Sequence, residues 1–268
     1  MKILILGGTG MLGNAVLRHF AKSNDEVTAT YRTDGLLGDI AAIKFDALKD
    51  TLEKLQNDFE YVINCIGMIK PFVSGSVPIT IAINSLFPWR LSEWCARNHS
   101  KLIHITTDCV YSGKKGRYVE TDLHDALDDY GKSKSLGECK NAMVLRTSVI
   151  GEEMHKYASL VSWAKSQKGK IVEGFATHLW NGVTTNEYAR VCSEIISRDM
   201  YKEGLFHIFA KDDVTKLQML EIFNEKFNLG LTIEEKYPEP INRTLRTNLP
   251  LCGNLTIPTV KEMIMAMD

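Results

Sequence analysis

The stretch that decides the fold is MKILILGGTGMLG, residues 1–13. Residues 3–6 form a short apolar run that ends in glycines, which is typical of a buried strand, and apolar residues then follow with helical spacing over 11–22. Between the two lie the glycines of a GxxGxxG pattern, Gly7, Gly10 and Gly13. Such glycines let the backbone approach a pyrophosphate, which then lies at the N-terminus of the helix. The stretch therefore predicts the first turn of a dinucleotide-binding fold.

Strand patterns and helix patterns alternate through the first half of the chain. The segments that predict strands are 3–6, 26–31, 42–45, 61–66, 102–106 and 143–145. The segments with helical spacing are 11–22, 48–56, 79–98 and 130–140, with an expected kink at Pro88 in the third. The alternation indicates βαβ units, and hence an α/β protein with a Rossmann-type doubly wound parallel sheet.

The pattern changes after residue 150. Helical spacing is found at 157–167, 187–197, 216–227 and 260–267, and a strand pattern at 205–209. The loops between them are rich in Gly, Asn, Pro and Thr. We predict an NAD(P)-binding Rossmann domain over 1–150 and a smaller, interleaved substrate-binding lobe over 151–268, with segments near 185–210 returning to the first domain.

The composition excludes several classes of protein. Of 268 residues, 44% are hydrophobic and 24% charged, which are ordinary values for a globular protein with a large core. The 32 basic and 33 acidic side chains leave a net charge of −1, so no overall field attracts nucleic acid or an anionic membrane. No apolar stretch approaches the ~18 residues of a membrane span. We therefore expect neither a nucleic-acid partner nor a membrane partner.

Cysteine usage indicates a reducing compartment. The six cysteines are scattered without a CxxC pair, and no His/Cys cluster has the spacing of metal ligands. The N-terminal apolar run is interrupted by glycines too early for a secretion signal. We expect free thiols, no metal and a cytoplasmic location.

The end of the second predicted strand bears on the choice of cofactor. A carboxylate there would bond both ribose hydroxyls and favour NAD, but the strand ends in Tyr31-Arg32. Arg32 could pair with a 2′-phosphate, which predicts NADPH, while Asp34 comes slightly later and keeps NADH open. Asp46 follows the third strand and is a candidate to bond adenine. The alternative for Asp46 is a helix N-cap before Leu48.

A tyrosine–lysine pair with YxxxK spacing occurs twice, at Tyr111/Lys115 and at Tyr130/Lys134. Only the second pair lies in a helical context, where positions i and i+4 share a face. A lysine ammonium beside a phenol lowers its pKa, which would make Tyr130 a proton donor near neutral pH. A hydroxyl at the carboxyl end of strand 102–106 would complete the site, because such sheets bind ligands at this edge.

Several segments occur in an order that resembles a known family. They are GGTGMLG (7–13), TTDCVYSG (106–113), YGKSKSLGE (130–138), LRTSVIG (145–151) and WNGVTTNEYA (180–189). In this combination the chain resembles the extended short-chain dehydrogenases/reductases and, within them, the dTDP-4-dehydrorhamnose reductase group. The resemblance implies that NADPH reduces the C4 ketone of a nucleotide-linked 4-keto-6-deoxy sugar for polysaccharide precursors. It is also compatible with a homodimer.

The resemblance assigns roles to single residues. Thr107 would polarise the carbonyl, Tyr130 would protonate the alkoxide, and Lys134 would orient the ribose. Asn84 matches an asparagine that holds a water or the lysine in a proton relay, and its alternative is an ordinary helix-face residue. The expected cofactor contacts are Gly7, Thr9, Gly10, Met11, Leu12, Gly13, Tyr31, Arg32, Asp46, Cys65, Ile66, Gly67, Tyr130 and Lys134.

Cys109 departs from the pattern of the plain reductases, many of which carry an aromatic there. The epimerase-reductases that make GDP-fucose, and plant-type UDP-rhamnose enzymes, have a cysteine that works with a histidine or lysine. Cys109 therefore raises the hypothesis of a bifunctional 3,5-epimerase/4-reductase, with His178, His155 or Lys70 as partner. The alternative is a small thiol that lines the pocket.

A third hypothesis is not enzymatic. The same family includes the regulatory subunit of a methionine adenosyltransferase, which binds a dinucleotide and a protein partner without needing turnover. The set of Thr107, Tyr130 and Lys134 argues against this reading, since a scaffold does not need a tyrosine–lysine pair.

Five residues are candidates for substrate binding: Arg146, His178, Trp180, Asn181 and Arg243. Arg146 could contact phosphates or lock its loop, and Trp180 could stack on a base or pack in the core. Arg243 and Arg246 could clamp a pyrophosphate through charge-assisted bonds, or could lie in solvent.

Overall fold

A parallel sheet of seven strands forms the centre of the protein, in a computed structural model that describes residues 1–33, 40–55, 58–73, 75–153 and 159–267. Its strands are β1 (Lys2–Leu6), β2 (Glu26–Tyr31), β3 (Ala41–Lys44), β4 (Tyr61–Asn64), β5 (Lys101–Thr107), β6 (Met143–Thr147) and β11 (Gly204–His207). The spatial order is β11-β6-β5-β4-β1-β2-β3, with every pair parallel. The strand order reverses between β1 and β4, and ligands of such folds bind outside the carboxyl ends at this point. The Rossmann-type prediction is confirmed.

The remaining strands form small sheets in the second half of the chain. They are β7 (Val149–Ile150), β8 (Ile171–Phe175), β9 (His178–Trp180), β10 (Val183–Thr184), β12 (Val214–Thr215), β13 (Thr232–Lys236) and β14 (Ile241–Asn242). Strand β9 lies between β12 and β14, while β8 pairs with β13 and β7 with β10. The sequence analysis predicts none of these short strands, because their partners are far away in sequence. The strand that it does predict in this half, 205–209, corresponds to β11 of the main sheet. The domain division at residue 150 stays a prediction.

Helices cover the sheet and build the second half. They are α1 (Met11–Phe20), α2 (Lys70–Val73), α3 (Val77–Ile81), α4 (Phe87–Arg97), α5 (Asp129–Leu136), α6 (Leu160–Ser166), α7 (Thr185–Ser197), α8 (Lys216–Phe227), α9 (Pro250–Asn254) and α10 (Val260–Met265). On one face α1 packs against α7, and buried side chains of β1 such as Ile3 and Ile5 join their core. On the other face α4 packs on β5, in a core with Leu4 and Leu6 of β1. Because β1 is apolar on both faces, it must lie in the middle of the sheet.

Two predicted helices differ from the structure. The segment predicted at 48–56 contains only a 3₁₀ turn, Leu52–Lys54, and its end at Gln56 lies outside the described residues. The segment predicted at 79–98 is helical, but its irregularity is a π-helical turn, Ala82–Leu86, that joins α3 to α4. Pro88, which has no N–H to donate, is the second residue of α4. The backbone therefore widens just before the proline instead of bending at it.

All six cysteines are free. Within the described ranges, no group of three or more metal-ligating side chains has formed, and no helix has the length and apolarity that crossing a membrane requires.

Candidate active site

The loop between β1 and α1 forms a cradle that only glycine permits. Gly7 has a φ of +81°, and its N–H donates to the Thr30 hydroxyl at 2.9 Å, while the Gly10 N–H donates to the Gly7 carbonyl at 2.9 Å. A Cβ on Gly13 would lie 2.1 Å from the Gly7 oxygen, so any side chain there would force the loop apart. Gly10 caps α1 without a side-chain acceptor, which leaves N–H groups of the first turn available to an anion. The residues present therefore fit the pyrophosphate of a dinucleotide.

The other expected cofactor contacts lie around this cradle. Thr9 is in the turn itself, and Met11 and Leu12 begin α1. Cys65, Ile66 and Gly67 follow β4, the neighbour of β1 on the far side of the switch point. The Ile66 side chain contacts the cradle directly, because a Cβ on Gly7 would lie 3.0 Å from it.

The residues expected at the adenosine end of the cofactor differ in exposure and in hydrogen bonding. Tyr31 is half-buried at the end of β2, and Arg32 is exposed just beyond it, with no hydrogen bond or ion pair within the part of the chain that the structure describes. Asp46 uses one carboxylate oxygen to accept the Leu48 N–H at 3.0 Å, which closes a turn; no helix begins at Leu48. Asp34 lies outside the described residues. Of these candidates within the described residues, Arg32 is the one whose side chain is free to bind a 2′-phosphate.

Arg32→Ala should weaken binding of NADPH by about 10- to 100-fold and binding of NADH by less than threefold. The reason is that a guanidinium–phosphate contact is charge-assisted and is made only by the phosphorylated ribose. Fluorescence titration of both nucleotides measures the two dissociation constants. Arg90→Ala, which removes an exposed arginine from α4, is the control. Equal losses for both nucleotides would remove the 2′-phosphate role.

The catalytic candidates meet at the carboxyl end of β5. Thr107 is the last residue of this strand, and its hydroxyl donates to Asp108 Oδ1 at 3.1 Å and accepts the Cys109 N–H at 3.2 Å. Tyr130 and Lys134 lie one turn apart on α5, and the Thr107 side chain is near enough to the Tyr130 phenol to act on its pKa. Lys134 is buried and donates to the Ile105 carbonyl at 3.3 Å. The fold thus brings all three side chains to the edge beside the glycine cradle.

The other YxxxK pair, Tyr111 and Lys115, does not lie on a helix. Tyr111 is fully buried and donates to the Val119 carbonyl, while Lys115 forms an ion pair with Asp122. Its two members therefore have separate partners and do not form a site.

The electrostatics of the pair on α5 differ from expectation. Burial raises the pKa of Tyr130, with a smaller effect of the same sign from Cys109, and the Thr107 side chain opposes the shift. Burial lowers the pKa of Lys134 to about 8. The prediction that the ammonium lowers the pKa of the phenol is wrong for this structure, because desolvation dominates both groups and the ammonium points to a backbone carbonyl.

Asn84 anchors the catalytic helix to the loop after β4. It is buried in the π-helical turn, where its side chain accepts the Met68 N–H at 2.8 Å and donates to the Met68 carbonyl at 3.0 Å and to the Ser133 hydroxyl at 3.1 Å. A Cβ placed on Gly67 would lie 3.5 Å from Asn84 Oδ1 and 3.4 Å from Lys134 Nζ. Asn84 is therefore next to the lysine, and its geometry is that of a positioning residue; π-helical turns are frequent at such sites.

The 3₁₀ turn Asp108–Val110 follows Thr107 and is called the catalytic turn below; Cys109 lies half-buried within it. Burial raises the pKa of its thiol to about 12, and the neighbouring Asp108 adds to the shift. Of the three partners considered, Lys70 acts electrostatically on this thiol, although it also forms an ion pair with Asp128 at 2.8 Å. His178 bonds the Glu239 carbonyl at 3.1 Å instead, and His155 lies outside the described residues.

Comparison with known proteins decides the family. The family described as the RmlD substrate binding domain matches residues 1–251. The protein belongs to this family. Methionine adenosyltransferase 2 subunit beta of Danio rerio is 28% identical over 250 residues, which is 85% of this chain and 74% of that protein. A dTDP-4-dehydrorhamnose reductase of Aggregatibacter actinomycetemcomitans is 29% identical over 147 residues, half of each chain.

Solved structures share the fold of this RmlD-family protein. A dTDP-4-dehydrorhamnose reductase of Bacillus anthracis, in complex with NADP, superposes with a TM-score of 0.78 at 15% identity, covering 99% of this chain and 98% of that one. MoeE5 in complex with UDP-glucose and NAD gives 0.81 at 18% identity, covering 100% and 97%. The resemblance to the dTDP-4-dehydrorhamnose reductase group is confirmed.

Three of the substrate-side predictions do not agree with the structure of this RmlD-family chain. Arg146 is fully buried, and Glu138, Tyr111, His124 and His207 surround its guanidinium, so it cannot reach a substrate. Asn181 is also buried. Its amide accepts the Leu245 N–H at 2.9 Å and donates to the Leu245 carbonyl at 3.0 Å. Trp180 is 5% exposed and lies in the main core rather than in an open loop.

The other two substrate-side candidates are accessible. His178 is half-buried and contacts Phe175 edge-on at 5.0 Å. Arg243 donates to the Tyr111 carbonyl at 2.8 Å, and its charge acts on Asp108 and Cys109. Arg243 is thus the candidate that the fold brings next to the catalytic turn.

Sequence reasoning missed two charged residues at this site. Asp108 was quoted within TTDCVYSG without a role, yet it is buried and accepts the Thr107 hydroxyl. Lys216 begins α8, and its charge interacts with those of Asp108 and Arg243. A signal was available, because a cation in the first turn of a helix that has no acid there is electrostatically unfavourable.

Proposed function

We propose that the protein is a sugar-nucleotide reductase that uses NADPH to reduce the C4 ketone of a nucleotide-linked 4-keto-6-deoxy sugar. The observation that carries the proposal is the meeting of Thr107, Tyr130 and Lys134 beside the glycine cradle. A dinucleotide cradle alone serves many functions, but a half-buried phenol and a buried ammonium at its edge form a site for proton transfer to a carbonyl. The NADP complex of the related fold supports the choice of cofactor.

The residues divide the reaction as follows. When bound, NADPH supplies the hydride that converts the carbonyl carbon to an alkoxide. Thr107 turns its hydroxyl hydrogen from Asp108 to the ketone oxygen, and Tyr130 gives its phenolic proton to the alkoxide. A solvent proton then restores the phenolate that remains, while Lys134 orients the ribose of the cofactor and Asn84 holds the loop and helix in place.

The test is oxidation of NADPH, followed at 340 nm, with UDP-, dTDP- and GDP-linked 4-keto-6-deoxy sugars. The proposal expects turnover with at least one nucleotide. NADPH binding without turnover on any of these sugars would contradict it. The similarity to methionine adenosyltransferase 2 subunit beta extends over 85% of this chain, so a regulatory subunit is the second candidate function. NADPH binding without turnover would favour this second candidate.

Cys109 and its charged neighbours support a finer alternative, epimerisation at C3 or C5 before reduction. Incorporation of solvent deuterium at these carbons, lost in Cys109→Ala, would establish it. A thiol with its pKa raised to about 12 is a weak source of thiolate, so we expect reduction without deuterium at C3 or C5.

A further inference from the structure

Among the described residues, Lys216 makes two weak contacts, one with the Trp180 ring and one with the Met219 thioether. It is the first residue of α8 and is half-buried, with its Nζ 5.4 Å from the centre of the Trp180 ring. In the described part of the chain, the acceptor within hydrogen-bonding distance of this ammonium is the thioether of Met219, at 3.6 Å. An ammonium has three donors, and a thioether is a weak acceptor. This half-buried ammonium therefore keeps donors that a bound ligand can use.

The register of three short strands brings Lys216 and Arg243 close together. Strand β9 is flanked by β12 and β14, and Leu179 of β9 is paired with Thr215 on one side and Asn242 on the other. The residues that follow these two positions, Lys216 and Arg243, are therefore carried to the two sides of the same strand.

The charges around this pair place it beside Asp108. Arg243 is fixed by its bond to the Tyr111 carbonyl, and both cations act electrostatically on the Asp108 carboxylate. The same interactions connect Lys216 with Cys109, next to the hydroxyl of Thr107. The single carboxylate of Asp108 can neutralise only one of the two cations, Arg243 and Lys216. The N–H groups of the Lys216 ammonium therefore remain available to a ligand.

We propose that Lys216 is a substrate-binding residue that donates hydrogen bonds to hydroxyl oxygens of the sugar ring. This inference rests on the proposed function, because it places the sugar between the catalytic turn and the second half of the chain. Thr107, Tyr130 and Lys134 all belong to the first half and are assigned to the ketone and the cofactor, which leaves the hydroxyl groups of the sugar to other residues. A donor from α8 supplies the missing contact and makes Lys216 a determinant of sugar specificity.

The experiment compares Lys216→Met, Lys216→Arg and the wild type, with Lys261→Met as control for an exposed lysine on α10 of the same half. Two readouts are used. One is kcat and KM for the sugar substrate; the other is calorimetric titration of UDP-glucose, dTDP-glucose and GDP-mannose in the presence of NADP⁺. Lys216→Met should lower kcat/KM and weaken sugar-nucleotide binding by about 10- to 100-fold, the loss of a charge-assisted hydrogen bond. NADPH affinity should stay within threefold, and Lys216→Arg should recover part of the loss.

The outcomes separate the two proposals. A wild type that binds a sugar nucleotide but does not oxidise NADPH overturns the proposed function alone, while a weaker titration of Lys216→Met would still support the role of Lys216. Turnover by the wild type with unchanged binding and kcat/KM in Lys216→Met overturns the role of Lys216 alone. Failure of the wild type to bind any of the three nucleotides overturns both.

Discussion

Tyr130→Phe is expected to lower turnover of the keto-sugar nucleotide by about 10²- to 10⁴-fold, the usual contribution of a positioned general acid. The substitution removes one oxygen from a half-buried ring and leaves the packing of α5 unchanged. NADPH affinity should remain within threefold, because the glycine cradle and Lys134 are intact. Stopped-flow or steady-state absorbance at 340 nm measures the first quantity, and fluorescence titration the second.

The control for this variant is Tyr237→Phe, which removes the hydroxyl of a tyrosine that is 71% exposed. It should have wild-type kinetics. If Tyr130→Phe keeps more than a tenth of wild-type turnover, Tyr130 is not the proton donor, and another acid near Thr107 must be sought.

Arg146→Met is expected to destabilise the protein by about 3–5 kcal/mol, since it leaves a buried carboxylate without its cation. Arg146 Nε donates to Glu138 Oε1 at 2.9 Å, and Nη2 donates to Oε2 at 2.6 Å. His207 also bonds the guanidinium, at 2.8 Å, and burial lowers the pKa of this imidazole to about 4, so that it accepts in its neutral form. Urea unfolding followed by circular dichroism gives the free energy of unfolding.

Two further variants make this result specific. Arg146→Met combined with Glu138→Gln should recover part of the lost stability, because the carboxylate is then neutral. Arg97→Met, at an exposed position in the last turn of α4, should change the free energy of unfolding by less than about 0.5 kcal/mol. A folded Arg146→Met protein of wild-type stability, with a raised KM for the sugar, would return Arg146 to the substrate site.

Local patterns in the sequence predicted most of the Rossmann half. Strands β1 and β4 are short apolar runs buried on both faces, and the glycines between β1 and α1 are needed because of one close backbone contact. The choice of Tyr130 over Tyr111 followed from helical context alone. These features depend on residues within one turn or one strand, so the sequence carries them directly.

The second half depends on pairing over long distances, which a single sequence does not reveal. Asn181 has its partner at Leu245, and Lys216 and Arg243 flank one strand because β12 and β14 both pair with β9. The nature of a polar side chain does not tell whether it will be buried, which is why Arg146 and Asn181 were assigned to the substrate. The π-helical turn around Asn84 is invisible for the same reason, since its spacing is set by contacts with α5.

The return of β11 to the edge of the main sheet limits how this protein could be divided or recombined. Met143–Thr147 would become an open edge in a fragment that stops at residue 150, ready to pair with another chain. Grafting the second half onto a different dinucleotide-binding module would have to transfer Gly204–His207 together with the sites around it. The residues proposed here for cofactor and sugar binding would therefore have to be transferred as one unit, and changes of specificity are expected from substitution within the chain rather than from exchange of its halves.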